Sequence, residues 1–187
     1  MLNFSSALKK EQQYNDLTIK EVTPIMKLIL RGQKREFFTN IGKNLNMILP
    51  TEANTSSTND IISAIWLSPD EWLIFTNNKV DKNTNKYELE ENLFHSVSKH
   101  NLGAVVNVTD QFVMLELEGK NIYELFSTGS PFDFSKFKIK KGSTTQTLIN
   151  NIDVIIRHKS ENLVNLFVRR SFSEHLSSWI NDSASRL

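Results

Sequence analysis

Apolar positions along this chain switch between a period of two and a period near 3.6, and the switches predict its elements. "IMKLIL", Ile25 to Leu30, is rich in apolar and branched residues and predicts a strand ending at Gly32. From Gln33 to Asn46, Phe37, Phe38, Ile41 and Leu45 fall at helical spacing and predict a helix. "PTEANTSSTND", Pro50 to Asp60, is a loop by composition. Ile61 to Leu67 and Trp72 to Thr76 are apolar runs divided by "SPDE", which predicts a hairpin with Pro69 in its turn. A polar loop follows at Asn77 to Asn85. Leu89, Leu93 and Val97 then line one face of a helix over Lys86 to His100, with Phe94 beside them and Gly103 placed to end it. "AVVNV", Ala104 to Val108, reads as the next strand.

The pattern then begins again. Phe112 to Leu117 alternates as a strand and Gly119 breaks it. Asn121 to Ser127 predicts a short helix with Ile122, Leu125 and Phe126 inward, stopped by Gly129 and Pro131. The loop "PFDFSKFKIKKG" leads to strands near Thr145 to Ile149, Ile152 to Arg157 and Leu163 to Val168, and a last helix runs from Phe172 to about Asn181. The first series is a split βαβ, or ferredoxin-like, order. The chain therefore reads as an α+β protein of two ferredoxin-like halves, with helices packed on antiparallel-type sheets. The division is a polar N-terminal arm over 1–16, a first subdomain over 17–103 and a second over 104–187. The arm is expected to become ordered only against something else.

Composition narrows the classes of function. Among 187 residues, 39% are apolar and 23% charged, ordinary values for a folded soluble protein. A net charge of +1 argues against a dedicated nucleic-acid binder, which needs a basic face to displace counterions. The absence of cysteine removes disulfides, thiolate metal sites and a cysteine nucleophile, and fits a cytoplasmic protein. No apolar run approaches the roughly 20 residues of a membrane helix, and "MLNFSSALKKEQQ" lacks the apolar core of a signal peptide.

Candidate chemistry is sparse. His95, His100, His158 and His175 are scattered and form no His-x-x-x-His pair, so no metal site is expected. Gly119, Gly129 and Gly142 stand singly and make no phosphate loop. No Gly-x-Ser-x-Gly elbow supplies a nucleophile. The carboxylate pairs Asp70–Glu71 and Glu90–Glu91 are adjacent in sequence, so their side chains point apart. No catalytic, cofactor-binding or metal-binding residue is assigned. "LFVRRSFSEHLSSWI", Leu166 to Ile180, sets Arg169 and Arg170 at a helix entrance, where one arginine can face inward and the other must face solvent, an acid or a partner. Ser171 and Glu174 match a capping box ahead of the apolar stripe Phe172, Leu176, Trp179 and Ile180. Trp72, Arg169 and Arg170 are the candidate structural or subunit-interface residues.

Several stretches in order carry a resemblance: "IWLSPDEWLI" (Ile65 to Ile74), "VVNVTDQFVMLELEG" (Val105 to Gly119), "LFSTGSPFDF" (Leu125 to Phe134), "GSTTQTLI" (Gly142 to Ile149) and "LFVRRSFSEHLSSWI". Together they resemble the gamma-subunit family of heterotetrameric sarcosine oxidases, over roughly Ile25 to Ile180. Asn107 stands where an Asp is usual, Ser68 for Gly and Ser130 for the frequent Cys. The resemblance implies a fold similar to the folate-binding domain of the glycine-cleavage aminomethyltransferase. It also implies a non-catalytic subunit, working with alpha, beta and delta subunits in sarcosine catabolism. FAD, FMN, NAD, tetrahydrofolate and zinc are then expected on those partners, and none on this chain. The equivalent subunit of N-methylglutamate dehydrogenase is a close alternative. A stand-alone folate-binding protein or one-carbon transferase of the same fold is the rival, and Asp110 and Asp133 are the nearest carboxylates for a pterin.

Overall fold

The computed structural model describes residues 6, 8, 11–22, 25–79 and 88–187. Their elements begin with β1 (Gln12–Tyr14) and β2 (Leu17–Glu21). Then come β3 (Ile25–Arg31), α1 (Arg35–Leu45), β4 (Ser56–Thr58), β5 (Ile62–Ser68) and β6 (Glu71–Lys79). α2 (Glu88–Leu93) continues into a π-helical turn (Phe94–Ser98), followed by β7 (Ala104–Asn107) and β8 (Phe112–Gly119). The chain goes on through α3 (Ile122–Ser127), α4 (Phe134–Phe137), β9 (Thr144–Ile149), β10 (Ile152–Ser160), β11 (Leu163–Arg169) and α5 (Arg170–Ala184).

These elements form two compact units. One holds the described residues between 23 and 109; the other holds those up to Val22 together with Asp110–Leu187. The first unit's sheet has the order β4-β5-β6-β3-β7, with every pair antiparallel. Its first strand, β3, lies between the third, β6, and the fourth, β7, which is the ferredoxin-like arrangement. On one face of this sheet, Phe37, Ile41 and Leu45 of α1 pack with Leu28, Leu30, Trp72, Ile74, Leu93 and Val97. Their spacing of four residues keeps all three α1 side chains on one stripe.

The second sheet has the order β1-β2-β8-β11-β10-β9. Here β8, β10 and β11 take the first, second and third positions, and β2 fills the fourth, beside β8. The arrangement of the first unit is thus repeated, with one strand drawn from the N-terminal segment. The alternation of Leu17 and Ile19 explains why: both face the core formed by Val113, Leu115, Leu117, Ile122, Leu125 and Phe126. Each large apolar side chain buried there contributes about 1.5–3 kcal/mol.

The two ferredoxin-like halves expected from the pattern are present, but their boundaries move. Residues 17–22 belong to the second unit, because β2 pairs with β8 from Leu17↔Gly119 to Glu21↔Leu115. The first unit extends past 103 to Thr109, because β7 pairs with β3. The expected N-terminal arm contains β1, which hydrogen-bonds to β2; most of residues 1–10 lie outside the described residues. The polar run at Asn77 to Asn85 begins inside β6, and residues 80–87 lie outside the described residues. The loop at Pro50 to Asp60 contains β4, which pairs with β5. Gly103 does not cap the preceding helical turn. Asn101, at φ 53°, takes the left-handed position there. A Cβ on Gly103 would lie 2.1 Å from the Arg31 carbonyl oxygen, so glycine is what lets β7 start against β3.

Candidate functional site

The structure separates the three residues singled out above. Trp72, in β6, is 1% exposed; its indole N–H donates to the Pro50 carbonyl at 2.8 Å and its ring packs on Phe37 and Phe38. It is a core residue. Arg169 ends β11 opposite Phe112 and is exposed, and its side chain makes no hydrogen bond or ion pair with the described residues. Arg170 is the first residue of α5 and half-buried, and its Nε donates to the Asp110 carbonyl at 2.9 Å. One arginine therefore ties the entry of β8 to the helix start, and the other faces outward.

The capping box does not form. α5 begins at Arg170, one residue before Ser171, and its N-cap is Arg169, which makes no side-chain cap bond. The β11–β8 ladder sets this start, because the Arg170 N–H donates to the Gln111 carbonyl at 2.8 Å. A first-turn donor of the helix is thus satisfied by backbone. Ser173 Oγ instead donates to the Arg170 carbonyl.

Two polar clusters escaped the sequence pattern. On the sheet face away from the helices of the second unit, register aligns Lys20, Glu116, Asn165 and Arg157 across four strands. Lys20 and Lys159 reach Glu116 at 2.9 and 3.1 Å. Asn165 Nδ2 donates to the same carboxylate, and its Oδ1 accepts from Arg157. Burial pulls the Glu116 carboxyl upward, but the hydrogen bonds and charges of Lys20 and Lys159 outweigh it and hold it below its ordinary value. Burial lowers Arg157 to about 10, so it remains a cation at neutral pH. An ionised carboxylate held by cations is a poor proton donor. This row joins strands.

The second cluster is Tyr123 with His158. Tyr123 Oη and His158 Nδ1 share a hydrogen bond at 2.5 Å, with Phe137 against the imidazole. His158 is 2% exposed, and burial lowers its pKa; burial also raises that of the Tyr123 hydroxyl. Both groups are therefore neutral at pH 7. The linkage has a definite sign. Below the unfolded histidine value of 6.5 the unfolded chain binds a proton that the folded chain refuses. Stability should therefore be full above that pH and fall as pH drops through the depressed folded value, by at most about 1.4 kcal/mol per pH unit from this group. Urea midpoints measured between pH 8 and 5 test this, and a His158→Phe variant should show a flatter profile.

The carboxylates considered for a pterin are differently engaged. Asp133 is the N-cap of α4, accepting from the Ser135 hydroxyl and N–H at 2.6 and 2.9 Å. The hydroxyl bond comes first in holding its carboxyl below the usual range. Asp110 is exposed, and its main-chain oxygen serves Arg170. The four histidines lie on the π-helical turn, in the segment after it, on β10 and on α5. Among the described residues no group of three or more His, Asp or Glu side chains comes together to hold a metal ion. No helix among them is long and apolar enough to cross a membrane.

The fold has close parallels. A chain of heterotetrameric sarcosine oxidase from Corynebacterium sp. U-96, solved with pyrrole 2-carboxylate, superposes with a TM-score of 0.81 at 22% identity, covering 91% of this chain and 84% of that one. The glycine cleavage system aminomethyltransferase T from Bartonella henselae superposes with a TM-score of 0.63 at 12% identity. The match covers 92% of this chain but 50% of the transferase, so the chain spans about half of that enzyme's length. No curated protein sequence matches significantly. The sequence profile of the sarcosine oxidase, gamma subunit family matches residues 33–186. With most of its length under that profile, the chain belongs to the sarcosine oxidase gamma subunit family.

Proposed function

We propose that this chain is the non-catalytic gamma subunit of a heterotetrameric sarcosine oxidase in the cytoplasm. The complex would convert sarcosine, O2 and tetrahydrofolate to glycine, 5,10-methylenetetrahydrofolate and H2O2. Alpha, beta and delta partners would carry FAD, FMN, NAD, tetrahydrofolate and zinc, and this chain none of them. The observation that carries the reading is the family match over 33–186. The engagement of the polar side chains supports it. Glu116 is held by lysines, His158 is buried against Tyr123, and Asp133 caps a helix, so each serves the fold. The equivalent subunit of N-methylglutamate dehydrogenase is the alternative, in which the complex takes N-methylglutamate in place of sarcosine. A stand-alone folate-binding protein or one-carbon transferase is the weaker reading: of the two nearest carboxylates, Asp133 is already bonded to Ser135, and Asp110 stands exposed.

Arg169 and Phe172, one turn apart at the start of α5 and both exposed, are side chains of the kind that would anchor a subunit contact. Co-expression with alpha and beta subunits followed by size-exclusion chromatography tests the proposal. The chain should elute with its partners, and Arg169→Ala should weaken that association about tenfold, the loss of one anchoring contact of roughly 1.4 kcal/mol. A wild-type chain that elutes alone at every concentration overturns the proposal.

A further inference from the structure

The end of α4 and the turn after it carry a feature that the roles assigned so far leave unused. Residues 136–141 read "KFKIKK", and Lys136, Lys138, Lys140 and Lys141 are all exposed. Four cations in six positions is a strong local charge in a chain whose net charge is +1. Ile139, at their centre, is 79% exposed.

This turn is held, not loose. Phe134 and Phe137 are buried in the second unit's core, against each other and beside Tyr123. Lys138 N–H donates to the Phe134 carbonyl at 3.0 Å, and Ser143 N–H to the Lys140 carbonyl at 3.1 Å. Gly142 and Ser143 are bonded to the two main-chain polar groups of His158, both at 2.9 Å. The backbone that presents Ile139 is therefore ordered before any partner arrives, and binding there has little conformational entropy left to lose.

We infer that this basic turn is a docking surface for an acidic face of a partner subunit, with Ile139 as its apolar anchor. The inference rests on the subunit reading above and names where one contact lies. Two physical points favour a protein over the other polyanions. A projecting isoleucine ringed by charge has the anatomy of a protein interface, with an apolar centre and a charged rim. A nucleic-acid phosphate backbone offers no apolar complement to it. The acid nearest in sequence is already engaged: Asp133 is turned to Ser135, and Lys136 and Lys138 act on it only as neighbouring charges.

Rim charges and a central anchor act on different rates. The test uses immobilised alpha–beta complex and the full chain, with association followed at several salt concentrations. Replacing all four lysines by glutamine should slow association about tenfold and flatten its salt dependence, since exposed charges are screened over about 10 Å at 0.1 M salt. Ile139→Asp should leave the salt dependence in place and speed dissociation at least tenfold. Unchanged thermal midpoints in both variants show that the fold is intact, as expected for exposed positions. Should the glutamine variant fold poorly, Ile139→Asp still decides the matter through dissociation. Wild-type rates in both variants overturn the inference and leave the subunit reading standing. A wild-type chain that does not bind the complex overturns both. Retention of a DNA duplex that depends on the four lysines, with partner binding unaffected, overturns the protein occupant.

Discussion

Replacing Trp72 by alanine should destabilise the first unit by about 3–5 kcal/mol, the range for deleting a large buried aromatic side chain. Trp72 lies between Trp66 on β5 and Leu30 on β3 in the ladder, so it sits at the middle of the sheet. Its ring centroid is 5.9 Å from that of Phe37 and 5.4 Å from that of Phe38, so it holds α1 against the strands. Its N–H also satisfies the Pro50 carbonyl, which follows the buried Leu49. Alanine removes the packing and orphans that carbonyl together. Trp72→Phe separates the two effects, since it keeps much of the ring contact and should cost about 1–3 kcal/mol for the unsatisfied acceptor. Hydrogen exchange at β3 and β6 amides, with urea unfolding, measures both. Protection in Trp72→Ala equal to wild type would sink this account.

Gly119→Ala should release the N-terminal strand. Gly119 has φ +146°, a conformation that side-chain-bearing residues rarely take, and a Cβ there would lie 2.0 Å from the Asp16 carbonyl oxygen. That oxygen accepts from the Lys120 N–H, and Leu17 pairs with Gly119 in the β2–β8 ladder. The clash is with backbone, so no rotamer change relieves it. Backbone strain of about 1–3 kcal/mol, together with a broken ladder rung of about 1 kcal/mol, should fall on β2. Limited proteolysis before Ile19 and exchange at β2 amides should both quicken several-fold, while β10 and β11 amides change less. A β2 strand as protected as in wild type would refute the claim that Gly119 seats it.

The contrast between these two residues shows what could be read from the chain. The β5–β6 hairpin was legible at "SPDE" because the signal is local: Pro69 and Asp70 turn the chain, and Ser68 Oγ donates to Asp70 within the turn. α1 was legible because Phe37, Ile41 and Leu45 announce a buried stripe. α4 was missed although its signal was present, an Asp133 cap two residues before Ser135, because four residues leave too little periodicity to notice. The fate of β2 was hidden for another reason. Leu17 and Ile19 alternate, but which sheet edge they complete depends on a partner strand in another part of the chain.

The candidate contacts divide in the same way. That Arg169 and Arg170 would point differently followed from strand geometry, but the helix start at Arg170 was decided by a hydrogen bond to Gln111. The Glu116 row could not be read at all, because Lys20, Glu116, Arg157 and Asn165 come from four strands and meet only through register. Even the basic turn looked like an ordinary loop until Phe134 and Phe137 were seen to anchor it.

By itself the sequence determined the α+β class, most of the elements and the family resemblance, since those depend on local propensity, periodicity and the order of short motifs. Tertiary structure decided which strand completes the second sheet, where each unit ends, which polar side chains meet, and which arginine faces outward. Those outcomes depend on pairing between distant segments, and a chain's local pattern carries the faces of its strands but not the neighbours they will find.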